Sequence, residues 1–242
     1  MSEMIFSLPG LAVAIALIAA GAIQGSTGFG FNMLAAPLLA IIDPSFVPGP
    51  MLALATIVCI GGALREYADV HRRDLAFSLF GRVIAASLAA LCLGLLSPQI
   101  FSALFGLSVL AAVVLSLVGL QIQATPKTLF AAGAISGFMG TLTSIGSAPM
   151  ALVYQNTTGA RMRATLNAFF VLGGLLSIIA LALVGQFGRS DIVLAAFMTP
   201  PAFIGFLLSG YTRNLVDRGH VKTVVLVVST LSGLTLLWKA FG

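Results

Sequence analysis

The polar side chains that could hold a ligand gather in two short stretches of the chain. Gln24, Ser26, Thr27 and Asn32 stand in or beside "GSTGFGFNMLAAP", which runs from Gly25 to Pro37. Thr141, Thr143, Ser144 and Ser147 stand in a later stretch that ends at Pro149, and Arg163 and Asn167 follow it. Amides, hydroxyls and a guanidinium are hydrogen-bond donors, and such a set suits a small anion. Helix capping and bonding between helices are the other uses these residues have.

What is missing narrows the chemistry. The acidic residues Glu3, Asp43, Glu66, Asp69, Asp74, Asp191 and Asp217 fall in or beside polar loops. No carboxylate stands mid-span, where a proton relay or sodium site would usually need one. Asp74 and Asp191 read as helix N-caps. His71 and His220 fall in polar loops, and Cys59 and Cys92 fall in apolar segments with no second ligand at metal spacing. The cysteines read as packing residues, so neither a metal nor a cofactor is expected. A Ser-His-Asp site cannot be assembled from two loop histidines, so an enzyme is not expected.

The elements that carry these residues are apolar. Of 242 residues 59% are hydrophobic and 8% charged, whereas a soluble domain has about a quarter charged. Leu11–Ile23, Leu75–Leu96 and Phe101–Leu120 approach the ~20 residues that cross a bilayer as a helix. The fold class that follows is an all-α polytopic membrane protein, with the lipid bilayer as its solvent. The net charge of +5 is scattered over short loops, which fits membrane topology better than nucleic-acid binding. Met1–Leu8 has no basic start, so the first apolar run is expected to stay as a span.

The polar motif occurs twice. "GAIQGSTGFGFNMLAAPL" from Gly21 and "GAISGFMGTLTSIGSAPM" from Gly133 align at an offset of 112, pairing Gly21, Gly25, Gly28 and Pro37 with Gly133, Gly137, Gly140 and Pro149. The chain reads as one membrane domain, 1–242, made of two repeats, about 1–124 and about 125–242. Each divides into five apolar segments, 5–24, 31–42, 47–64, 75–96 and 101–120, then 128–141, 145–154, 164–186, 191–210 and 222–239. The second of each is about half the length needed to span, which suggests a broken or re-entrant hairpin.

Loop charge sets the relative orientation. If the loop with Arg65, Arg72 and Arg73 is cytoplasmic and each short hairpin returns to its starting side, ten of the twelve basic residues lie inside, leaving Arg189 and Lys239 out. Laying both halves the same way up puts Arg161, Arg163, Arg213, Arg218 and Lys222 outside, against the positive-inside bias. An inverted repeat is therefore expected, as in many secondary transporters. Gly28 and Gly30 permit a sharp reversal, Asn32 opens the following half-helix, and Ser144 and Ser147 are candidate N-caps. Two half-helix N-termini, each with about half a positive charge, would meet and attract an anion. Arg161 and Arg163 could guide the anion or simply mark topology. Arg82 could reach a cavity, though snorkelling to the near interface is the expectation.

The residues from "GAIQGSTGFGFNMLAAPLLAIIDP" and from "GAISGFMGTLTSIGSAPMALVYQNTTGARMRATLNAFF" resemble the TauE/SafE sulfite exporter family over nearly the whole chain. The resemblance implies export of sulfite or an organosulfonate across the bacterial inner membrane by a multi-pass secondary transporter. An anion channel of the same fold and a permease for a non-sulfur organic anion stay open as alternatives. Thr27-Gly28-Phe29-Gly30 has the look of a potassium-channel filter, but Met139–Leu142 does not repeat it.

Overall fold

The computed structural model of the protein describes residues 8–118, 122–157, 159–217 and 220–241. The expectation for the Met1–Leu8 start lies almost wholly outside these residues, as does Arg218. The described residues form helices joined by short connections, with no strand among them. Helices suit an apolar solvent because they satisfy every interior backbone group within the segment.

In chain order the helices are α1 (Leu8–Thr27), α2 (Phe31–Ile42), α3 (Gly49–Arg65), α4 (Arg72–Leu93), α5 (Pro98–Leu117), α6 (Pro126–Thr143), α7 (Ser147–Tyr154), α8 (Gly159–Leu183), α9 (Arg189–Asp217) and α10 (His220–Phe241). Six are long and apolar enough to cross a membrane: α1, α4, α5, α8, α9 and α10. The short elements are α2, of 12 residues, and α7, of 8. They are the two truncated segments expected from sequence.

Helix ends depart from hydropathy in a consistent way. The polar connection expected at Tyr211–Lys222 is mostly helix, since α9 continues to Asp217 and α10 opens at His220. Arg161 and Arg163 likewise lie inside α8. Backbone hydrogen bonding does not need apolar side chains, so a helix can continue past the point where hydropathy falls. Asp74 and Asp191 are not N-caps. Each is the third residue of its helix, and Asp191 reaches back to accept from the Gly188 N–H at 2.7 Å.

Close packing runs through glycine. A Cβ on Gly21 would stand 2.1 Å from the Ala202 carbonyl oxygen, and one on Gly205 1.9 Å from that of Ile18. Thus α1 and α9 touch backbone to backbone, as small residues allow in lipid. The same contact recurs between α4 and α6, with Gly133 2.0 Å from the Ser78 carbonyl and Gly81 2.2 Å from that of Phe130. Gly21 and Ile18 differ from Gly133 and Phe130 by 112 in number, and Ala202 and Gly205 differ from Ser78 and Gly81 by 124. Each contact therefore has a mate in the other half of the chain.

The central pair, α3 and α8, runs antiparallel. Leu52 shares a cluster with Leu181, Thr56 faces Gly174, Gly62 faces Asn167, and Glu66 pairs with Arg163. The outer pair α5 and α10 is also antiparallel, with Gly106 against Leu237 and Gly233 against Leu110.

Candidate functional site

Both hairpins break in the same way. At the end of α1 the Thr27 hydroxyl bonds the Ile23 carbonyl (2.9 Å) and accepts from the Phe29 N–H (3.2 Å). At the end of α6 the Thr143 hydroxyl bonds the Met139 carbonyl (2.7 Å) and accepts from the Ile145 N–H (3.2 Å). The next residue in each case is left-handed, Gly28 at φ +83° and Ser144 at φ +60°. Neither Ser144 nor Ser147 caps α7. Its N-cap is Gly146, and α2 likewise begins after Gly30, with no side-chain cap at either. The reason is steric: a Cβ on Gly146 would stand 2.4 Å from the Ser136 carbonyl. Serine, the expected cap, would not fit at that place.

Gln24, 2% exposed, holds the first break together. Its amide nitrogen lies 3.0 Å from the Gly28 carbonyl, 3.0 Å from Asn167 Oδ1 and 3.2 Å from Cys59 Sγ. Its Oε1 accepts from the Phe31 N–H at 3.3 Å. One side chain thus joins α1, α2, α3 and α8. The second break is joined to the first directly: Asn32 Nδ2 donates to the Ser144 carbonyl at 2.7 Å.

Around this junction lies a cavity of about 40 Å³. Its lining includes Gln24, Asn32, Ser144, Ser147, Thr56 and Arg82, with backbone from Gly30, Gly140 and Gly146. That is room for ordered water or a small anion.

Arg82 was expected to snorkel and does not. It is 3% exposed and turns inward, donating to Ser136 Oγ (3.1 Å) and Ser177 Oγ (3.4 Å), with its guanidinium 5.0 Å from the Phe169 ring centroid. Gly173 makes the room, since a Cβ there would stand 2.0 Å from Arg82 Nε. Among the residues lining the cavity Arg82 is the one with a formal charge.

Three of the lining residues each carry a buried polar atom with no protein partner: Arg82 Nε, Asn32 Oδ1 and Ser147 Oγ. Leaving one buried donor or acceptor unsatisfied costs about 1–3 kcal/mol. A ligand that pairs with any of them recovers part of that cost.

The other residues anticipated from sequence lie outside this lining. Ser26 back-bonds the Ala22 carbonyl (2.8 Å) and lies against Ser209 on α9. Thr27 and Thr143 cap their breaks, as above. Thr141 is paired with Ser177 at 2.8 Å. Gly28 packs on the Arg163 backbone, where a Cβ would meet Cα at 2.7 Å. Asn167 stands behind Gln24 and donates to the Arg163 carbonyl at 2.8 Å. Arg163 is ion-paired with Glu66, and Arg161 lies 3.5 Å from Asp74, which also accepts from the Tyr154 hydroxyl at 3.1 Å. Arg82, Thr56 and Cys59 were not among the site residues expected from sequence, although an arginine well inside an apolar span was the available signal for the first.

Sequence comparison with known families matches residues 13–236 to the sulfite exporter TauE/SafE description. The chain belongs to the TauE/SafE family. This match and the six long apolar helices make it a multi-pass membrane protein of a sulfite-exporting family. Comparison with curated proteins and with solved structures returned no match. The TauE/SafE match takes in both breaks, Arg82 and the whole lining of the cavity.

Proposed function

We propose that this TauE/SafE protein is a secondary transporter, not an enzyme, that exports a small sulfur-containing anion across a bacterial inner membrane. The observation that carries the reading is that Arg82, Ser147 and Asn32, each with an unpartnered buried polar atom, line one small cavity between two helix breaks. A buried guanidinium and the N-terminal ends of α2 and α7 favour negative charge. The cavity's size suits sulfite better than a longer sulfonate.

The two halves are inverted repeats that alternate access to this cavity. Three features support this. Repeat-equivalent helices α3 and α8 are antiparallel, as are α5 and α10. The backbone contacts of α1 with α9 are matched by those of α6 with α4. The basic residues gather on one side when the halves are laid in opposite directions. On that side the Glu66–Arg163 pair and the Asp74–Arg161 pair join the α3–α4 connection and the start of α4 to α8, where breaking them would open a path.

The test is sulfite efflux from vesicles containing the purified protein. Saturable flux with counter-flow is expected, and conductance without saturation would indicate a channel. Asn32→Leu combined with Ser147→Leu should lower flux by at least about 10-fold while insertion and expression hold. Unchanged flux in that double variant would remove the cavity from the transport path.

A further inference from the structure

Resting on the reading of this cavity as an anion site, we propose that the species it binds is a protonated monoanion: for sulfite, hydrogensulfite and not the dianion.

Charge is the first argument. Arg82 brings one positive charge, and no carboxylate lines the cavity. A monoanion leaves the buried site neutral. A dianion leaves an uncompensated negative charge in a low-dielectric place, which is strongly unfavourable.

Hydrogen-bond polarity is the second. The Ser144 carbonyl can only accept, so the Asn32 amide must turn its nitrogen to it, as the 2.7 Å contact shows. That leaves Oδ1, which can only accept, without a protein partner on a residue that lines the cavity. Arg82 Nε can only donate, and Ser147 Oγ can do either. The set therefore asks for lone pairs at Arg82 and a hydrogen at Asn32. A fully deprotonated oxyanion presents lone pairs everywhere and would meet Oδ1 acceptor to acceptor.

Protein titration near the cavity is limited. The titratable side chains that line it are Arg82 on α4 and Cys59 on α3, while α1, α2, α6, α7 and α8 contribute Gln24, Asn32, Gly140, Ser147 and Gly174, none of which titrates. His71, Asp74 and Arg161 line a separate cavity of about 560 Å³.

The experiment measures binding of sodium sulfite, sodium methanesulfonate and sodium sulfate to the purified full-length protein by calorimetry from pH 6 to 9. Sulfite affinity, expressed on total concentration, is expected to fall about 10-fold per pH unit once the dianion dominates. His71→Gln, which lies outside this cavity, should keep that profile. Methanesulfonate carries one charge and no ionisable hydrogen. It should bind independently of pH and about 10-fold more weakly than hydrogensulfite, the effect of one unpaired buried acceptor. Asn32→Leu should erase this preference, and sulfate, its doubly charged isostere, should bind least.

A flat sulfite profile, or sulfate binding as tightly as methanesulfonate, overturns the monoanion assignment and leaves the anion site standing. Binding of none of the three, or binding unaffected by Arg82→Gln, removes the site itself. The wild-type pH profile needs no variant, so misfolding cannot mask the answer.

Discussion

The hairpins α1–α2 and α6–α7 share a motif at an offset of 112, yet they do not reverse at equivalent residues. The helices α2 and α7 end together in the repeat, at Ile42 and Tyr154, but α7 starts four residues later in register. One helical turn has passed from α7 to α6. As a result Asn32 sits inside a helix and presents its side chain, while its repeat counterpart Ser144 sits in the turn and presents its carbonyl. A second difference lies on α4 and α9. Arg82 corresponds to Phe206 at the offset of 124 that relates Ser78 to Ala202. Gly173 makes room for Arg82, and its counterpart Gly61 lies 2.9 Å (from an added Cβ) from the Phe206 ring. The scaffold contacts are kept in both halves, while the groups that line the cavity are not. An anion has no two-fold symmetry to satisfy, so the repeat is free to diverge at the site and bound to agree where helices touch.

The largest effect that would sharpen this contrast is charge removal. Arg82→Gln should lower sulfite flux by about 100-fold or more, the scale of losing a buried charged partner, whereas Phe206→Leu should change flux per folded molecule by less than about 3-fold. Equal losses would mean that the two positions are equivalent after all. Next come the glycines that space them. Gly173→Ala displaces the guanidinium and should cost about 10-fold to 100-fold in flux, as small misplacements in a site do; Gly61→Ala, which crowds a ring outside the cavity, should cost much less.

The shared scaffold makes the opposite forecast. Gly21→Ala and Gly133→Ala should each destabilise the protein by about 1–3 kcal/mol through overpacking, and by similar amounts, read from unfolding in detergent. A large difference between them would break the matched-contact picture. The smallest effect is expected at the left-handed turn. Ser144→Gly should raise stability by about 0.5 kcal/mol, since the strain of a side chain there exceeds the added entropy of glycine. A fall in melting temperature would show that the serine hydroxyl holds the turn.

Much of the fold was legible in the sequence because bilayer physics is restrictive. The ten apolar segments became ten helices, and 31–42 is bounded as expected. The breaks were legible because glycines and hydroxyls interrupt an apolar run. Their exact registers were not, because Gly25 and Ser26 stay helical: the Ser26 hydroxyl returns to the Ala22 carbonyl. Of the anticipated site residues, Gln24, Asn32, Ser144 and Ser147 line the cavity. Thr27, Thr141 and Thr143 carry the same functional groups and spend them on the backbone or on Ser177. Hydroxyl content alone cannot separate these uses. Arg82 was misread because its direction depends on Gly173, far along the chain, which leaves a space that no local pattern announces.

The bond from Asn32 to Ser144 joins two residues that occupy the same place in their respective repeats. If the halves exchange roles as proposed, a link at such a place would sit close to the line about which they do so. In the alternating-access cycle proposed above, everything distant from that line would travel while this bond persists. It would behave as the fulcrum of a balance, bearing load in either tilt and favouring neither.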